Sequence, residues 1–182
     1  EGGGQDIELD YYFELNRYMV HTGLVDIIDI ELAKLLDYET DLIEYAKKNN
    51  VKVLLSSHDF DKTPSTAELT ETVYDMRHLG ADICKVAMMP QSMDDVLTIL
   101  ESLNKVNSER EDIPFILIGM GEKGRLTRLT GELFGSVLTF ASSDKYATAP
   151  GQMAIPELRQ GLDIIGNRNE GACFGKEKTT KN

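Results

Sequence analysis

The chain has 182 residues, 41% of them hydrophobic and 27% charged, which is the composition of one ordinary globular domain with a sizeable core. Its formal net charge of −12 argues against a nucleic-acid partner or an anionic membrane, although local lysine and arginine side chains can still bind a small anionic substrate. The two cysteines have no CxxC spacing, which argues against a zinc site or a disulfide framework and indicates a reducing, cytoplasmic setting.

Short apolar runs alternate along the chain with longer amphipathic runs. The apolar runs predict strands over residues 24–32, 51–57, 81–90, 114–120 and 136–142. The amphipathic runs predict helices over residues 38–50, 65–80, 92–107, 124–135 and 156–166. Ser65 with Glu68 and Ser92 with Asp95 have the spacing of helix starts, and Pro156 occupies a first helical turn. This alternation predicts an α/β fold with a parallel sheet buried on both faces.

Three polar residues recur at a fixed spacing near the predicted strand ends. Glu31, His58 and Lys85 are separated by 27 residues and then by 27 again, about the length of one βα unit of a barrel. Active sites of such barrels are built at the carboxyl ends of the strands. The alternative is coincidence in a regular α/β protein, since strand ends are commonly polar.

Lys85 is a charged residue inside the apolar run "ICKVAMM". Because side chains alternate along a strand, Lys85 shares one face with Ile83 and Ala87, and we expect that face to point into the barrel rather than toward the helices. A desolvated lysine amine can attack a carbonyl carbon. The alternative, weighed equally on the pattern alone, is an inward lysine that pairs with a carboxylate and fills the barrel.

His58 follows the strand before that of Lys85 and is a candidate proton-transfer group. Equivalent positions on adjacent strands would bring the imidazole and the amine within about 5–8 Å of each other. Asp29 and Glu31 lie one strand earlier, so a carboxylate can orient the imidazole. The alternative is a polar residue that merely marks the end of a strand.

Four segments carry a resemblance to a known family: "SSHDFDKTP", "GADICKVAMMP", "GRLTRLTGELFGSVLTF" and "ATAPGQ". In this order, and in register from residue 1 to about residue 165, they resemble the type I 3-dehydroquinate dehydratases. The resemblance implies a (β/α)8 TIM barrel that forms a homodimer and uses no metal and no cofactor. It further implies a lyase of the shikimate pathway of aromatic amino acid biosynthesis, which converts the small anion 3-dehydroquinate to 3-dehydroshikimate through a lysine Schiff base.

The resemblance also implies catalytic roles for four residues. Lys85 matches the residue that forms the imine, and His58 matches the residue that transfers protons. Glu1 matches a family carboxylate close to that histidine, and Asp29 matches an acidic strand residue that orients it. Glu31 also matches a family position, but the resemblance implies no particular role for it.

Three further residues match substrate-binding positions. Arg128 resembles the cation that holds the substrate carboxylate, whereas the residues alone favour a surface arginine on a helix. Thr148 and Gln152 match a loop that closes over the substrate hydroxyls, and the family commonly has serine where this chain has Thr148.

The chain departs from the family at both ends. The family has two further βα strands before the position of Glu1, so we expect residues 1–166 to form an incomplete barrel domain of about six βα units. Residues 167–182 lack a helical stripe and are expected to form an irregular tail. Two alternatives to the dehydratase therefore stand: an inactive barrel fragment, and another Schiff-base enzyme of the class I aldolase type. A phosphate-binding glycine loop would favour the aldolase, and "ATAPGQ" is not one.

Overall fold

The computed structural model describes residues 7–109, 114–143 and 147–166. Within them, four parallel strands form one sheet in the order β1-β2-β3-β4, with β1 at Ile27–Glu31, β2 at Lys52–Asp59, β3 at Ile83–Met88 and β4 at Phe115–Gly119. The helices are α1 at Leu9–Thr22, α2 at Leu32–Leu36, α3 at Leu42–Lys48, α4 at Thr66–His78, α5 at Met93–Glu109, α6 at Arg125–Thr130 and α7 at Ile155–Ile165. A 3-10 turn at Gly131–Phe134 follows α6. No helix in these ranges is both long and apolar enough to cross a membrane.

The two faces of the sheet have different surroundings. Alternate side chains of every strand, such as Ile30, Leu55 and Val86, join the main core together with buried residues of the helices. The opposite face carries a small apolar cluster of Leu54, Ile116 and Ile118. The polar residues of the candidate site lie on that second face, because Asp29, His58 and Lys85 alternate with the residues of the main core.

The predicted helix starts are confirmed. The Ser65 side chain and the Glu68 side chain form both halves of a capping box at the start of α4. Ser92 and Asp95 exchange hydrogen bonds of 3.1 Å between each backbone N–H and the other side chain, ahead of α5. Pro156 lies in the first turn of α7. These caps fix where each helix leaves the carboxyl edge of the sheet.

Three sequence predictions differ from the structure. The strand predicted over 51–57 continues to Asp59, so His58 lies within a strand and not at the start of a loop. The strand predicted over 136–142 is wrong, since only Val137 bonds to the start of β4 and only Ser142 forms an isolated bridge. The described residues therefore contain four strands, fewer than about six predicted βα units. Residues 136–142 would form a strand only if several of them paired with β4, and only the Val137 bond joins them to it. Helix α1 was not predicted, because exposed aromatic side chains such as Tyr11 and Tyr18 obscure its apolar stripe.

Candidate active site

A cleft of about 360 Å³ opens at the carboxyl ends of the strands. It brings together six of the predicted site residues, which come from three strands, one helix and one loop: Asp29, His58, Lys85, Arg128, Thr148 and Gln152. Glu1 lies outside the described residues. Strand ends of a parallel sheet meet at one edge, which is why residues far apart in the sequence share this cleft.

Lys85 points into the cleft from the inner face of β3. Its neighbours Cys84 and Val86 belong to the main core on the other face, which confirms the orientation predicted from alternation. The Lys85 side chain is 13% exposed, and its Nζ lies 3.3 Å from Asp29 Oδ2 and 5.1 Å from the centre of the Phe140 ring. The amine is therefore desolvated by an aromatic ring and paired with a carboxylate that is itself 48% exposed.

The strand register corrects the predicted equivalence of His58 and Lys85. Ser56 pairs with Lys85 across β2 and β3 and with Glu31 across β1 and β2, whereas His58 pairs with Ala87. His58 thus lies two residues nearer the strand end than Lys85, on the same face. The uniform spacing of 27 misleads because connections of unequal length shift the pairing of the strands.

His58 forms the shortest ion-pair contact of the cleft. Its Nδ1 lies 2.7 Å from Glu31 Oε2, and the two side chains are only 12% and 9% exposed. Burial by itself raises the pKa of Glu31, but the hydrogen bonds with His58 and Ser56 and the imidazole charge outweigh it and hold that pKa below its ordinary value. An ionised Glu31 accepts the proton on Nδ1, which leaves Nε2 of a neutral imidazole free to accept a proton.

The two carboxylates on β1 contact different partners. Asp29 was expected to orient His58, but its oxygens contact Lys85 Nζ and, at 2.5 Å, the Ser56 hydroxyl. Ser56 Oγ also lies 3.1 Å from Glu31 Oε2. The Ser56 hydroxyl therefore lies between Asp29, the carboxylate that pairs with Lys85, and Glu31, the carboxylate that pairs with His58. The assignment of Asp29 to the histidine is corrected here: Asp29 and Glu31 share a strand face, and the position of β2 brings Glu31, the residue nearer the strand end, to the imidazole.

Arg128 reaches the cleft from α6 and is 3% exposed, so the alternative of a surface arginine is wrong. Its two terminal nitrogens donate long hydrogen bonds, of 3.4 and 3.3 Å, to the carbonyl oxygens of Phe140 and Pro150. Its Nε has no hydrogen-bond partner among the described residues. Burial lowers the pKa of Arg128, yet an arginine stays charged at neutral pH, so an incoming carboxylate finds an under-bonded cation.

Thr148 and Gln152 line the cleft from the loop that precedes α7. The Gln152 Oε1 accepts the Thr148 backbone N–H at 3.0 Å, and Gln152 Nε2 lies 3.0 Å from Thr148 Oγ1. Between them Gly151 adopts a φ of +77°, and a Cβ there would meet the Gly121 carbonyl oxygen at 2.0 Å. The loop is therefore held against the backbone of Gly121, just after β4, by a close contact that only glycine permits.

Sequence reasoning missed Tyr12 and Ser56, and from the residues alone it left open whether Asp29 or Glu31 contacts His58. The Tyr12 hydroxyl donates to the Asp29 carbonyl oxygen at 3.3 Å and accepts the Glu31 backbone N–H at 3.0 Å, so it holds the outer edge of β1. Burial raises the pKa of Tyr12, which keeps the hydroxyl protonated and able to donate. Ser56 had a usable signal, since it lies two residues before His58 on the same strand face. Tyr12 had none, because its contact depends on how α1 packs.

Among the described residues, no group of three or more histidine, cysteine or acidic side chains is arranged to hold a metal ion. A lysine, a histidine and two carboxylates lie together at the carboxyl edge of a parallel sheet, the place where α/β barrels build their sites. The model of the type I 3-dehydroquinase family matches residues 1–169, and the chain belongs to this family. The resemblance drawn from the sequence motifs and the expected fold class are thereby confirmed.

Relatives and solved structures agree with this assignment. The chain is 47% identical over 168 residues to the 3-dehydroquinate dehydratase of Listeria monocytogenes, a match that covers 91% of the chain and 65% of that relative. It is 41% identical to the 3-dehydroquinate dehydratase of Clostridium novyi, covering 92% of the chain and 66% of the relative.

Among solved structures, the type I 3-dehydroquinate dehydratase of Clostridium difficile, crystallised with covalent modified comenic acid, matches with a TM-score of 0.84 and 41% identity. That match covers 92% of this chain and 65% of the other. The enzyme of Geobacillus kaustophilus matches with a TM-score of 0.84 and 35% identity, covering 91% and 64%. The chain thus spans about two thirds of the length of each of these four proteins.

Proposed function

We propose that this protein dehydrates 3-dehydroquinate to 3-dehydroshikimate through an imine at Lys85. The observation that carries the proposal is the position of Lys85: a desolvated amine on the inner face of β3, in one cleft with the His58–Glu31 pair and the buried Arg128. The covalently modified ligand of the Clostridium difficile relative supports a site of this family that reacts covalently. Such a reaction makes the protein a hydro-lyase of the shikimate pathway.

The first step is the addition of the Lys85 amine to the ketone carbon. The ammonium form must first lose a proton, and Asp29 is placed at 3.3 Å to receive it. The amine nitrogen then bonds to the carbon, and the former ketone oxygen leaves as water, which gives a protonated imine. That cationic imine withdraws electrons from the neighbouring carbon, the work that a metal ion or cofactor would otherwise do, so we propose that neither takes part.

The second step is the elimination, which we assign to His58. Nε2 of the imidazole removes a proton from the carbon next to the imine, and the electron pair forms an enamine. The enamine then expels the hydroxyl group β to the original ketone, and the imidazolium returns its proton so that water leaves. Glu31, buried beside Nδ1, stabilises the imidazolium between the two proton transfers. Hydrolysis of the imine restores Lys85, and the net change is the loss of one water.

Substrate binding is assigned to α6 and to the loop that precedes α7. Arg128 is proposed to hold the substrate carboxylate with two parallel hydrogen bonds, replacing its long bonds to Phe140 and Pro150. Thr148 and Gln152 are proposed to bind ring hydroxyls, since each offers both a donor and an acceptor. Glu1 remains, by family resemblance, a predicted further carboxylate near His58.

We also propose a cellular location and an oligomeric state for the protein. The unpaired, buried thiol of Cys84 fits the reducing conditions of the cytoplasm, where we place the protein. The family resemblance supports a homodimer with no nucleic-acid or membrane partner, in line with the net charge of −12.

The chain alone is proposed to be an incomplete scaffold with little or no activity. Both β1 and β4 are edge strands of the described sheet, whereas a barrel joins its first and last strands. Apolar side chains are exposed at both edge strands: Ile27 on β1 is 46% exposed, and Val137, which bonds to the start of β4, is 54% exposed. Two family-like βα units fused before Glu1 would cover these edges, and we call that fusion the extended chain.

The test is the conversion of 3-dehydroquinate by the extended chain, followed through the ultraviolet absorption of the conjugated ketone product. We expect turnover that survives dialysis against a strong chelator and that is abolished in Lys85→Met. Turnover that requires a divalent ion, or that persists in Lys85→Met, would contradict the proposed chemistry.

A further inference from the structure

We propose that Lys34 is a second anion-binding residue of the cleft, which attracts the substrate carboxylate at the mouth before Arg128 holds it. The inference rests on the proposed function for the choice of substrate. None of the four motif segments contains Lys34, and its assignment rests on three observations: where it lies, what fixes it, and what charges surround it.

Lys34 lies on the lip of the same cleft as Lys85 and Arg128. It belongs to α2, which begins directly after β1, and it follows Glu31 by three residues. Its side chain is only half-buried, unlike that of Arg128. Lys34 therefore meets a ligand that enters from solvent earlier than the buried guanidinium does.

An aromatic platform fixes the Lys34 ammonium at the lip. Lys34 Nζ lies 5.3 Å from the centre of the Tyr12 ring, within the range of a cation–π contact. The Tyr12 hydroxyl is bonded to the backbone of both Asp29 and Glu31, so the ring cannot turn away without losing two hydrogen bonds. This contact limits the positions of a side chain that would otherwise be mobile, and it leaves all three N–H donors available.

The charges of the cleft leave Lys34 available for a ligand. Asp29 pairs with Lys85, and Glu31 pairs with His58. Among residues 7–109, 114–143 and 147–166, no carboxylate lies within 4.0 Å of Lys34 Nζ, whereas Lys48 and Lys105 pair with glutamates one helical turn away. A half-buried ammonium without a carboxylate, beside a cleft, is suited to binding an anion.

The negative net charge of the chain explains why a cation at the mouth of the cleft would aid the binding of an anion. A chain with a formal net charge of −12 repels an anionic substrate at long range, where the net charge matters more than the position of any single side chain. A positive group at the mouth offsets that repulsion locally, over a range of about 10 Å at moderate salt. Lys34 should therefore affect the binding of the anion and its dependence on salt, and should leave the chemical steps nearly unchanged.

The test uses quinate, which has a hydroxyl group in place of the ketone of 3-dehydroquinate and so binds without forming an imine. Quinate is titrated into the extended chain and its Lys34→Met variant, with binding followed by nuclear magnetic resonance at low and at high salt. A half-exposed ion pair predicts that Lys34→Met weakens quinate binding by about two- to fivefold at low salt and less at high salt. Lys34→Arg should retain most of the affinity.

Two controls separate charge at the cleft from charge in general. Lys48→Met removes the same charge from an exposed i,i+4 pair on α3 and should leave the affinity unchanged. The methyl ester of quinate carries no negative charge, so its binding should not respond to Lys34→Met. An unchanged affinity in Lys34→Met, equal losses for the acid and the ester, or no quinate binding by any of these proteins would each overturn the inference.

The same proteins distinguish this inference from the proposed function. Borohydride reduction in the presence of 3-dehydroquinate shows whether an adduct forms at Lys85. An adduct without a Lys34 effect on quinate overturns the inference and leaves the proposed function standing. A Lys34 effect without any adduct leaves the anion-binding role standing and counts against the proposed chemistry.

Discussion

Replacing Glu31 with glutamine keeps the shape of the side chain but removes the negative charge that faces His58. In the wild-type chain the carboxylate lies 2.7 Å from Nδ1, and both side chains are almost fully buried. The amide oxygen of the variant can still accept the Nδ1 proton, so the imidazole keeps its orientation. What is lost is the charge that stabilises the imidazolium formed during elimination.

The size of the effect follows from the burial of this pair. Hydrogen bonds to charged groups contribute about 1.5–3 kcal/mol, roughly twice the contribution of neutral ones. Because Glu31→Gln keeps a neutral hydrogen bond, only the excess of the charged bond over a neutral one, about 1–1.5 kcal/mol, is lost in the transition state, and the elimination slows by about 5- to 13-fold. Formation of the imine at Lys85 should be unaffected, because the neighbouring carboxylate there is Asp29.

The assay therefore measures two quantities in the extended chain. Product absorption gives the rate of turnover, and the mass of the borohydride-reduced protein gives the fraction of imine. Glu31→Gln should lower turnover while imine accumulates, whereas Asp29→Asn, the matched control, should slow the appearance of the imine itself. If Asp29→Asn impairs only elimination and Glu31→Gln impairs only imine formation, the assignment of the two carboxylates is wrong.

Glu31→Gln should also change how the free energy of unfolding depends on pH. The pKa of Glu31 is lower in the folded chain than its ordinary value, so its ionised form contributes stability that is fully present above the unfolded pKa of about 4.3 and is lost as the pH falls through the folded pKa. Glu31→Gln should therefore destabilise the protein most near neutral pH, and the difference in the free energy of unfolding should shrink in acid. A difference that grows below pH 4 would contradict this account.

Three further predictions follow from the loop, the core and the open edges. Gly151→Ala should lower turnover by about 10- to 100-fold in the extended chain, because its Cβ would collide with a carbonyl oxygen and displace the loop that carries Gln152, whereas Gly23→Ala, whose Cβ meets nothing within 4 Å, should leave turnover unchanged. In urea denaturation, Leu103→Ala should lower the free energy of unfolding by about 2–5 kcal/mol, since that side chain is fully buried. Leu97→Ala, on the exposed side of the same helix, should change it by less than about 0.5 kcal/mol, and equal losses would refute the packing described for α5. The 182-residue chain should associate through its open edges and show little turnover, and the extended chain should gain both solubility and activity; a chain of 182 residues that is monomeric and fully active would refute the proposed incompleteness.

Sequence reasoning succeeded where a rule of local geometry decides the outcome. Alternation along a strand was enough to turn Lys85 inward, because the side chains on either side of it are apolar and must face the helices. Capping chemistry was enough to start α4 at Ser65, since both halves of the capping box lie within four residues. Family motifs located Arg128, whose burial no local pattern in "LTRL" indicates.

The same reasoning failed where the outcome depends on how elements pack. The register between β1, β2 and β3 is set by loops of unequal length, so a regular spacing did not show that Ser56, rather than His58, pairs with Lys85. The choice between Asp29 and Glu31 as the partner of His58 depends on that register. The apolar run at 136–142 has the composition of a strand, but a strand also needs a paired neighbour.

The central claim, that Lys85 forms the covalent bond to the substrate, is tested most directly by mapping the adduct. The extended chain is mixed with 3-dehydroquinate, reduced with borohydride, digested and analysed by mass spectrometry. The account predicts a single modified residue, Lys85, with the adduct lost in Lys85→Met and increased in Glu31→Gln. An adduct on any other lysine, or active enzyme that yields no adduct at all, would contradict it.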